Sequence, residues 1–188
     1  MNYERNLEVS EILLQYYYVE KYLREKNETL SNVVFMGMGE PFLNYDNVIE
    51  SINMLNSKSG LNVSKRNFTI STSGIVPAIK KFTEEEHQIN LAVSLHSVKD
   101  NVRSQLMPIN KKYPLTELKS ALVNYQIKTK NRITFEYILI DELNCEKKDA
   151  FDLAAFLRSF SSLVNLIPYN PVGEKEYSAP SKKKQKEF

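Results

Sequence analysis

The sequence predicts an α/β fold in which five parallel strands alternate with helices. Two observations carry this expectation. Apolar residues recur at steps of three and four in five stretches, the signature of amphipathic helices, and each stretch is followed by a short run rich in β-branched and aromatic residues. Alternation of this kind produces right-handed βαβ units and a parallel sheet, either an open doubly wound sheet or an arc of a barrel.

From the amino terminus, Val9, Ile12, Leu13, Tyr16, Val19 and Leu23 mark a helix ending near Lys26 and Asn27. The run Val33-Val34-Phe35-Met36, closed by Gly37, reads as a strand buried on both faces. Asn44 is placed to cap a second helix with Val48, Ile52 and Leu55 on its buried face, and Gly60 and Asn62 mark the turn before a strand at Phe68-Thr69-Ile70-Ser71. Ile75, Ala78, Ile79 and Phe82 form the third helix, followed by the acidic turn Glu84-Glu85-Glu86 and a strand over residues 89–94. Leu115, Leu118, Leu122 and Tyr125 precede a strand over residues 132–139. Ala150, Leu153, Ala154 and Leu157 precede the last, over residues 164–167.

Composition narrows the class. At 188 residues the chain is one compact unit, short for a closed eight-stranded barrel. Hydrophobic residues at 42% and charged residues at 26% are ordinary globular values, which argues against a disordered chain or a membrane protein. Apolar runs such as Ile138-Leu139-Ile140 fall far short of a spanning helix, and Met1-Asn2-Tyr3-Glu4-Arg5 is not of signal-peptide type, so a cytoplasmic address is expected. The single cysteine, Cys145, excludes an intramolecular disulfide and cannot alone hold a zinc ion or an iron–sulfur cluster. The net charge of +2 permits a nucleic-acid partner without arguing for one.

In either α/β architecture, ligands bind at the carboxyl ends of the strands. Four of these ends carry unusual residues: Gly37-Met38-Gly39-Glu40-Pro41, Ser71-Thr72-Ser73-Gly74, Ser94-Leu95-His96 and Pro168-Tyr169-Asn170-Pro171. Glycine lets a backbone approach a ligand closely and proline stiffens the loop that follows. Each loop alone also reads as an ordinary turn; their coincidence at strand ends is what points to a binding rim. The first loop lacks the third glycine of a dinucleotide fingerprint, and Pro41 stands where a helix would start.

Glu40 suits the ammonium of an amino-acid-bearing cofactor, or stands as a solvated loop acid. His96 reads as a base, as a contact to an adenine ring, or as a hydrogen-bonded structural residue. Glu136 shares a strand face with Thr134 and Ile138 and points either to a barrel lumen or to the helices. Cys145 has no histidine near it in sequence and does not read as a nucleophile.

Taken in order, seven segments resemble the radical S-adenosylmethionine (radical SAM) adenine-C2 RNA methyltransferases, the RlmN/Cfr family. They are residues 5–8, 34–42 with 44–47, 69–74, 94–96, 103–110, 134–137 and 165–171. The resemblance implies a partial (β/α) barrel of the radical SAM type over residues 1–177, followed by a basic tail at 178–188. It also implies methylation of adenine C2 in 23S ribosomal RNA and in transfer RNA, with those RNAs as partners. The family's S-adenosylmethionine contacts fall on Gly39, Glu40, Ser71, Ser94, Leu95, His96 and Asn170. The family also uses a 4Fe-4S cluster and a methyl-carrying cysteine.

This sequence departs from the family in what it lacks. A three-cysteine cluster motif, on a loop after a first strand, is expected just before residues 5–8 and does not stand there, and Cys145 matches none of the family's cysteines. The expectation is a family chain truncated at both ends, with no catalytic or metal-binding residues of its own and inactive alone. A SAM- or RNA-binding remnant, one part of a split enzyme completed by a complementary segment, and an unrelated barrel using Glu40 and His96 as acid and base stay open beside it. Lys111, Lys112, Lys128, Lys130 and Arg132 read as phosphate contacts or as solvent cover, and Lys182 to Lys186 as a basic contact or a frayed end.

Overall fold

The computed structural model describes residues 4–171 and 177–188. Residues 1–3 and 172–176, at the start and near the end of the expected 1–177 unit, lie outside the described residues. The elements run α1 (Val9–Glu25), β1 (Val33–Phe35), α2 (Tyr45–Asn56), β2 (Phe68–Thr72), α3 (Val76–Glu84), β3 (Asn90–Ser94), α4 (Asp100–Leu106), α5 (Leu115–Thr129), β4 (Ile133–Leu139), α6 (Lys147–Leu157), β5 (Ser162–Pro168) and α7 (Lys182–Glu187). Every expected strand and its preceding helix forms, with bounds shifted by a residue or a few.

The five strands are parallel and lie side by side in chain order, β1-β2-β3-β4-β5. This order decides between the two architectures. A doubly wound sheet must reverse its strand order at a switch point, whereas right-handed crossovers in unbroken sequence place every helix on the same side, as in a barrel. The register confirms one dry face: Phe68, Ile70 and Thr72, then Leu91, Val93 and Leu95, then Ile133, Phe135, Tyr137 and Leu139, all buried. On the opposite face lie Val34, Thr69, Ser71, Ala92, Ser94, Thr134, Glu136 and Asn165. The protein is thus an arc of a barrel with a helix-free concave side.

The core lies between the dry sheet face and the helices. Ile52, Leu55, Ile79, Phe82, Leu118, Leu122 and Tyr125 are all almost fully buried, and Phe82 stacks on Tyr125 with centroids 6.0 Å apart. At α1 the capping box expected of a helix start is built from two glutamates, Glu8 and Glu11, and Arg5 donates to both carboxylate oxygens of Glu11 at 2.7 and 2.6 Å.

Three local expectations change. The first strand is not buried on both faces: it is the edge strand, and Val34 on the helix-free side is 56% exposed. Asn44 occupies the cap position of α2 but makes no capping hydrogen bond. Its amide donates instead to the carbonyl of Leu7 at 2.8 Å, tying the chain before α1 to α2. The lysine-rich end folds as α7, with Lys184 2.6 Å from both Asp141 and Glu146 and the Phe188 ring tilted against Tyr137 with centroids 5.5 Å apart. The short helix α4 carries no apolar stripe and gives no signal in the periodicity.

Gly74, which ends the β2 loop, has φ +106°, and a Cβ there would meet Arg103 Nη2 and Leu118 at 3.3 Å. Gly74→Ala is therefore expected to cost about 2 kcal/mol and lower the thermal midpoint by roughly 4–8 °C. A melt followed by circular dichroism checks this, and an unchanged midpoint would show that the loop relaxes freely.

Candidate functional site

The carboxyl ends of parallel strands all face one end of the molecule, so the loops after β1, β2, β3 and β5 share a rim. Glu40 joins two of them. Its backbone is the cap of a 3-10 turn, Pro41–Asn44, and its Oε1 accepts from the Phe42 N–H at 3.1 Å. Its Oε2 accepts from both the N–H and the hydroxyl of Ser73, each at 2.6 Å. The carboxylate is partly buried and, among the described residues, forms no ion pair, which leaves its charge available to a cation. Beside it Gly39 has φ +116° with open space where a Cβ would stand, so glycine is required here by conformation rather than by crowding.

Arg103, from α4, lies beneath the rim and is fully buried. Its Nε donates to the Leu95 carbonyl at 3.1 Å, and its Nη2 donates to Ser73 O at 2.7 Å and Ser94 O at 3.1 Å. Nη1 donates to Asn110 Oδ1 at 2.8 Å, and the Asn110 amide passes the contact on to Asp100 at 2.8 Å. One planar fork thus holds the ends of β2 and β3 together, a task that needs several donors in fixed directions. Burial pushes the guanidinium down to about 10, so it stays charged at neutral pH.

His96 leaves β3 in a left-handed conformation, φ +56°, uncommon for any residue but glycine. The carbonyl of Glu136 accepts from the N–H groups of Leu95 at 2.9 Å and His96 at 3.3 Å, while His96 Nδ1 accepts from the Ile138 N–H at 3.2 Å. An accepting Nδ1 places the ring proton on Nε2. Burial, with Arg103 adding to it, lowers the imidazole from 6.5 to about 4. The ring at neutral pH is an uncharged hydrogen-bond donor.

Ser71, Ser94 and Glu136 line the helix-free face, Ser94 and Glu136 being direct register partners. Glu136 therefore faces the concave side and not the helices, and its Oε2 accepts from the Asn165 amide at 2.8 Å. Leu95 is buried on the dry face and takes part through its backbone. Asn170 follows β5, exposed, next to Tyr169, whose N–H donates to Leu139 O at 3.0 Å. The structure thus ties Gly39-Glu40, Ser73 and Ser94-Leu95-His96 into one bonded group, while Asn170 shares their end of the sheet without a bond to them.

The rim is an open surface. Cavities of about 300 and 360 Å³ lie elsewhere, the first lined by Cys145, Lys148 and Phe188, the second by Arg66, His87 and Lys128 at the amino ends of the strands. Neither includes a rim residue, and the second occupies the end of the sheet where strands begin. Sequence reasoning missed Ser73, Arg103 and Asn110 as site supports. Arg103 and Asn110 stand at the two ends of one of the seven recognised segments, which is the only sequence signal for them.

The polar set suits a ligand with a cationic amino group and a hydrogen-bonding ring: Glu40 for the first, the neutral His96 donor for the second. It does not suit an iron–sulfur cluster. The one cysteine, Cys145, is buried beneath α7 with its thiol 3.9 Å from Asp141, and among the described residues no group of three His, Cys, Asp or Glu could hold a metal.

Comparison with known proteins gives these features a family context. A sequence model of the Radical SAM superfamily matches residues 6–154. A probable dual-specificity RNA methyltransferase RlmN of Spiroplasma citri is 46% identical over 178 residues, 95% of this chain and 52% of the relative. A protein of the same description from Staphylococcus epidermidis is 48% identical over 93% of this chain and 48% of its own length. The crystal structure of a radical SAM methyltransferase from Sphaerobacter thermophilus superposes with a TM-score of 0.95 at 42% identity, covering 98% of this chain and 54% of that one. A domain of a pyruvate-formate lyase-activating enzyme from Bacteroides vulgatus, 18% identical with a TM-score of 0.59, shares the fold. The chain spans about half the length of the curated relatives it matches.

Two outcomes follow from this geometry. Arg103→Met leaves the carbonyls of Ser73, Ser94 and Leu95 and the Asn110 oxygen without their donor, and is expected to destabilise the fold by about 3–5 kcal/mol, with Arg103→Lys recovering part; urea unfolding measures both. Between pH 6.5 and about 4 the unfolded chain protonates His96 while the folded chain does not, so stability falls as pH falls through that window. The loss attributable to His96 is on the order of 2 kcal/mol after allowance for its partial exposure. His96→Asn, which tolerates the left-handed backbone, should flatten that part of the curve in melts from pH 7 to 4.5, and parallel curves for the two proteins would refute it.

Proposed function

This chain belongs to the radical SAM superfamily, and on that premise we propose that its rim binds S-adenosylmethionine and that it forms the barrel of an RNA methyltransferase. The reaction is methylation of adenine C2, with ribosomal and transfer RNA as substrates, in the cytoplasm. The relatives named as RNA methyltransferases support the substrate class; among the described residues no helix is long and apolar enough to cross a membrane. The observation that carries the cofactor is the bonded group of Glu40, Ser73 and Ser94-Leu95-His96 at the open strand ends.

S-adenosylmethionine, when bound, supplies the methyl group and the carbon–sulfur chemistry. The chain's own residues bind and orient it. Glu40, held by the two Ser73 donors, accepts from the ammonium, and the Gly39 backbone lies alongside without a side chain to obstruct it. His96 offers its Nε2–H to an acceptor on the adenine or ribose, and its lowered pKa keeps a second positive charge away from the sulfonium. Ser71, Ser94 and Asn170 provide further polar contacts, and the backbone of Leu95 fixes the path between Ser94 and His96.

Of the basic residues, Lys111 and Lys112 are the better phosphate contacts, because they follow Asn110 on the rim side and are exposed. Lys128, Lys130 and Arg132 precede β4 at the far end of the sheet, and Lys128 is engaged 2.6 Å from Glu84. A second reading, a SAM-binding module or one part of a split enzyme completed by a complementary segment, is favoured by one observation: the single cysteine is buried against α7.

Titration calorimetry with S-adenosylmethionine tests the reading directly. Glu40→Gln is expected to bind about ten-fold more weakly than the parent chain, since it loses a charge-assisted hydrogen bond to the ammonium. Equal affinities would remove Glu40 from the site, and no heat from either protein would remove the cofactor. The 188-residue chain alone is expected to transfer no methyl group to RNA under reducing conditions, in a radiolabel assay, because one buried thiol cannot assemble a cluster.

A further inference from the structure

The β4–α6 loop touches the rim through a single buried side chain. Asn144 is 1% exposed, and every polar atom of its amide is used. Its Nδ2 donates to the carbonyl of His96 at 2.7 Å and to that of Ile138 at 2.7 Å, while its Oδ1 accepts from the Ile138-proximal Ile140 N–H at 2.8 Å. The two carbonyls it grips belong to His96 and to the residue whose own N–H bonds the His96 ring. One is the carbonyl of His96 itself, in the left-handed conformation, and the other belongs to Ile138, whose N–H supplies the hydrogen bond to His96 Nδ1 at 3.2 Å.

We infer that Asn144 is a positioning residue for the rim: by bridging the His96 and Ile138 carbonyls it fixes the His96 backbone and the Nδ1 contact, which leaves Nε2–H as the ring's only donor for a ligand. The inference rests on the proposed cofactor site for its functional consequence, but the geometry stands without it. A primary amide is suited to this role: two N–H groups serve two carbonyls and the oxygen serves an N–H, a set that neither carboxylate nor hydroxyl reproduces. No described residue bonds His96 Nε2. The charged groups around the ring are Arg103 on the α4 side and Glu136 on β4, the latter turned to Asn165.

The loop itself is secured independently. The Tyr137 hydroxyl donates to the Asn144 carbonyl at 2.8 Å, the Asp141 N–H donates to Ser178 O at 2.9 Å, and Lys184 of α7 clamps Asp141 and Glu146. These contacts hold the loop in place without touching His96. They therefore separate a structural role, shared by all of them, from contact with His96, which among these loop contacts the Asn144 amide makes.

The test is nitrogen-15 NMR of the histidine ring in the 188-residue chain, combined with S-adenosylmethionine titration. The parent protein should show His96 as the Nε2–H tautomer at neutral pH; the opposite tautomer would overturn the inference at once. Asn144→Asp places carboxylate oxygens against two carbonyls, and should give a mixed tautomer and an affinity reduced about ten-fold. Asn144→Ser, a milder change, should act in the same direction if Asn144→Asp does not fold. Tyr137→Phe should lower the thermal midpoint yet leave the tautomer and the affinity as they were. Asn144 variants that keep the parent tautomer and affinity would refute positioning. A parent chain that fails to bind S-adenosylmethionine would refute the cofactor reading instead, with the tautomer still judging Asn144.

Discussion

The architecture of the rim depends on one buried charge. The Arg103 guanidinium sits under the ends of β2 and β3 with three backbone carbonyls and one amide oxygen as acceptors and, among the described residues, no carboxylate in direct contact. A buried cation is costly to desolvate, and it is tolerated here because nearly every donor has an acceptor and the Asn110 amide relays the field of Asp100. The same charge explains part of the behaviour of His96, whose protonation it opposes. The rim beside Glu40 thereby carries no second positive charge on the histidine at neutral pH.

Around that anchor, the rim is assembled by side chains that cap strand ends. Ser73 serves Glu40 with its backbone and hydroxyl, Glu136 uses its carbonyl for the β3 exit and its carboxylate for Asn165, and Asn144 joins the exits of β3 and β4. Each device satisfies backbone groups that a strand leaves unpaired where its ladder stops. The rim and the termination of the sheet are therefore the same set of interactions, which accounts for the dense bonding at this end. The surface ion pairs elsewhere, such as Lys81 with Asp46, contribute little beside it.

The strand order has a second consequence. Since every crossover places its helix on one side, the opposite side carries no helix among the described residues, and its residues grade from apolar at the edges, with Val34 and Leu163 exposed, to polar at the centre, with Ser71, Ser94 and Glu136. A polar centre is what a ligand-bearing lumen needs. The likeness to a radical SAM methyltransferase structure covers 98% of the chain and so takes in the whole arc.

Much of this was legible in the residues. Periodicity and β-branched runs are local properties, so they determined the alternation of helices and strands, the parallel sheet, and which loops would stand at the strand ends, those carrying Glu40, Ser94 and His96 among them. The open or doubly wound alternative, the direction in which Glu136 points, the roles of Arg103 and Asn144, and the docking of α7 were decided only by the tertiary structure. The physical reason is separation: Glu40 meets Ser73 across 33 positions, Arg103 meets Ser73 across 30, and Asn144 meets His96 across 48. A hydrogen bond between such residues leaves no periodic trace in the chain, because it exists only once the crossovers have brought the strand ends together.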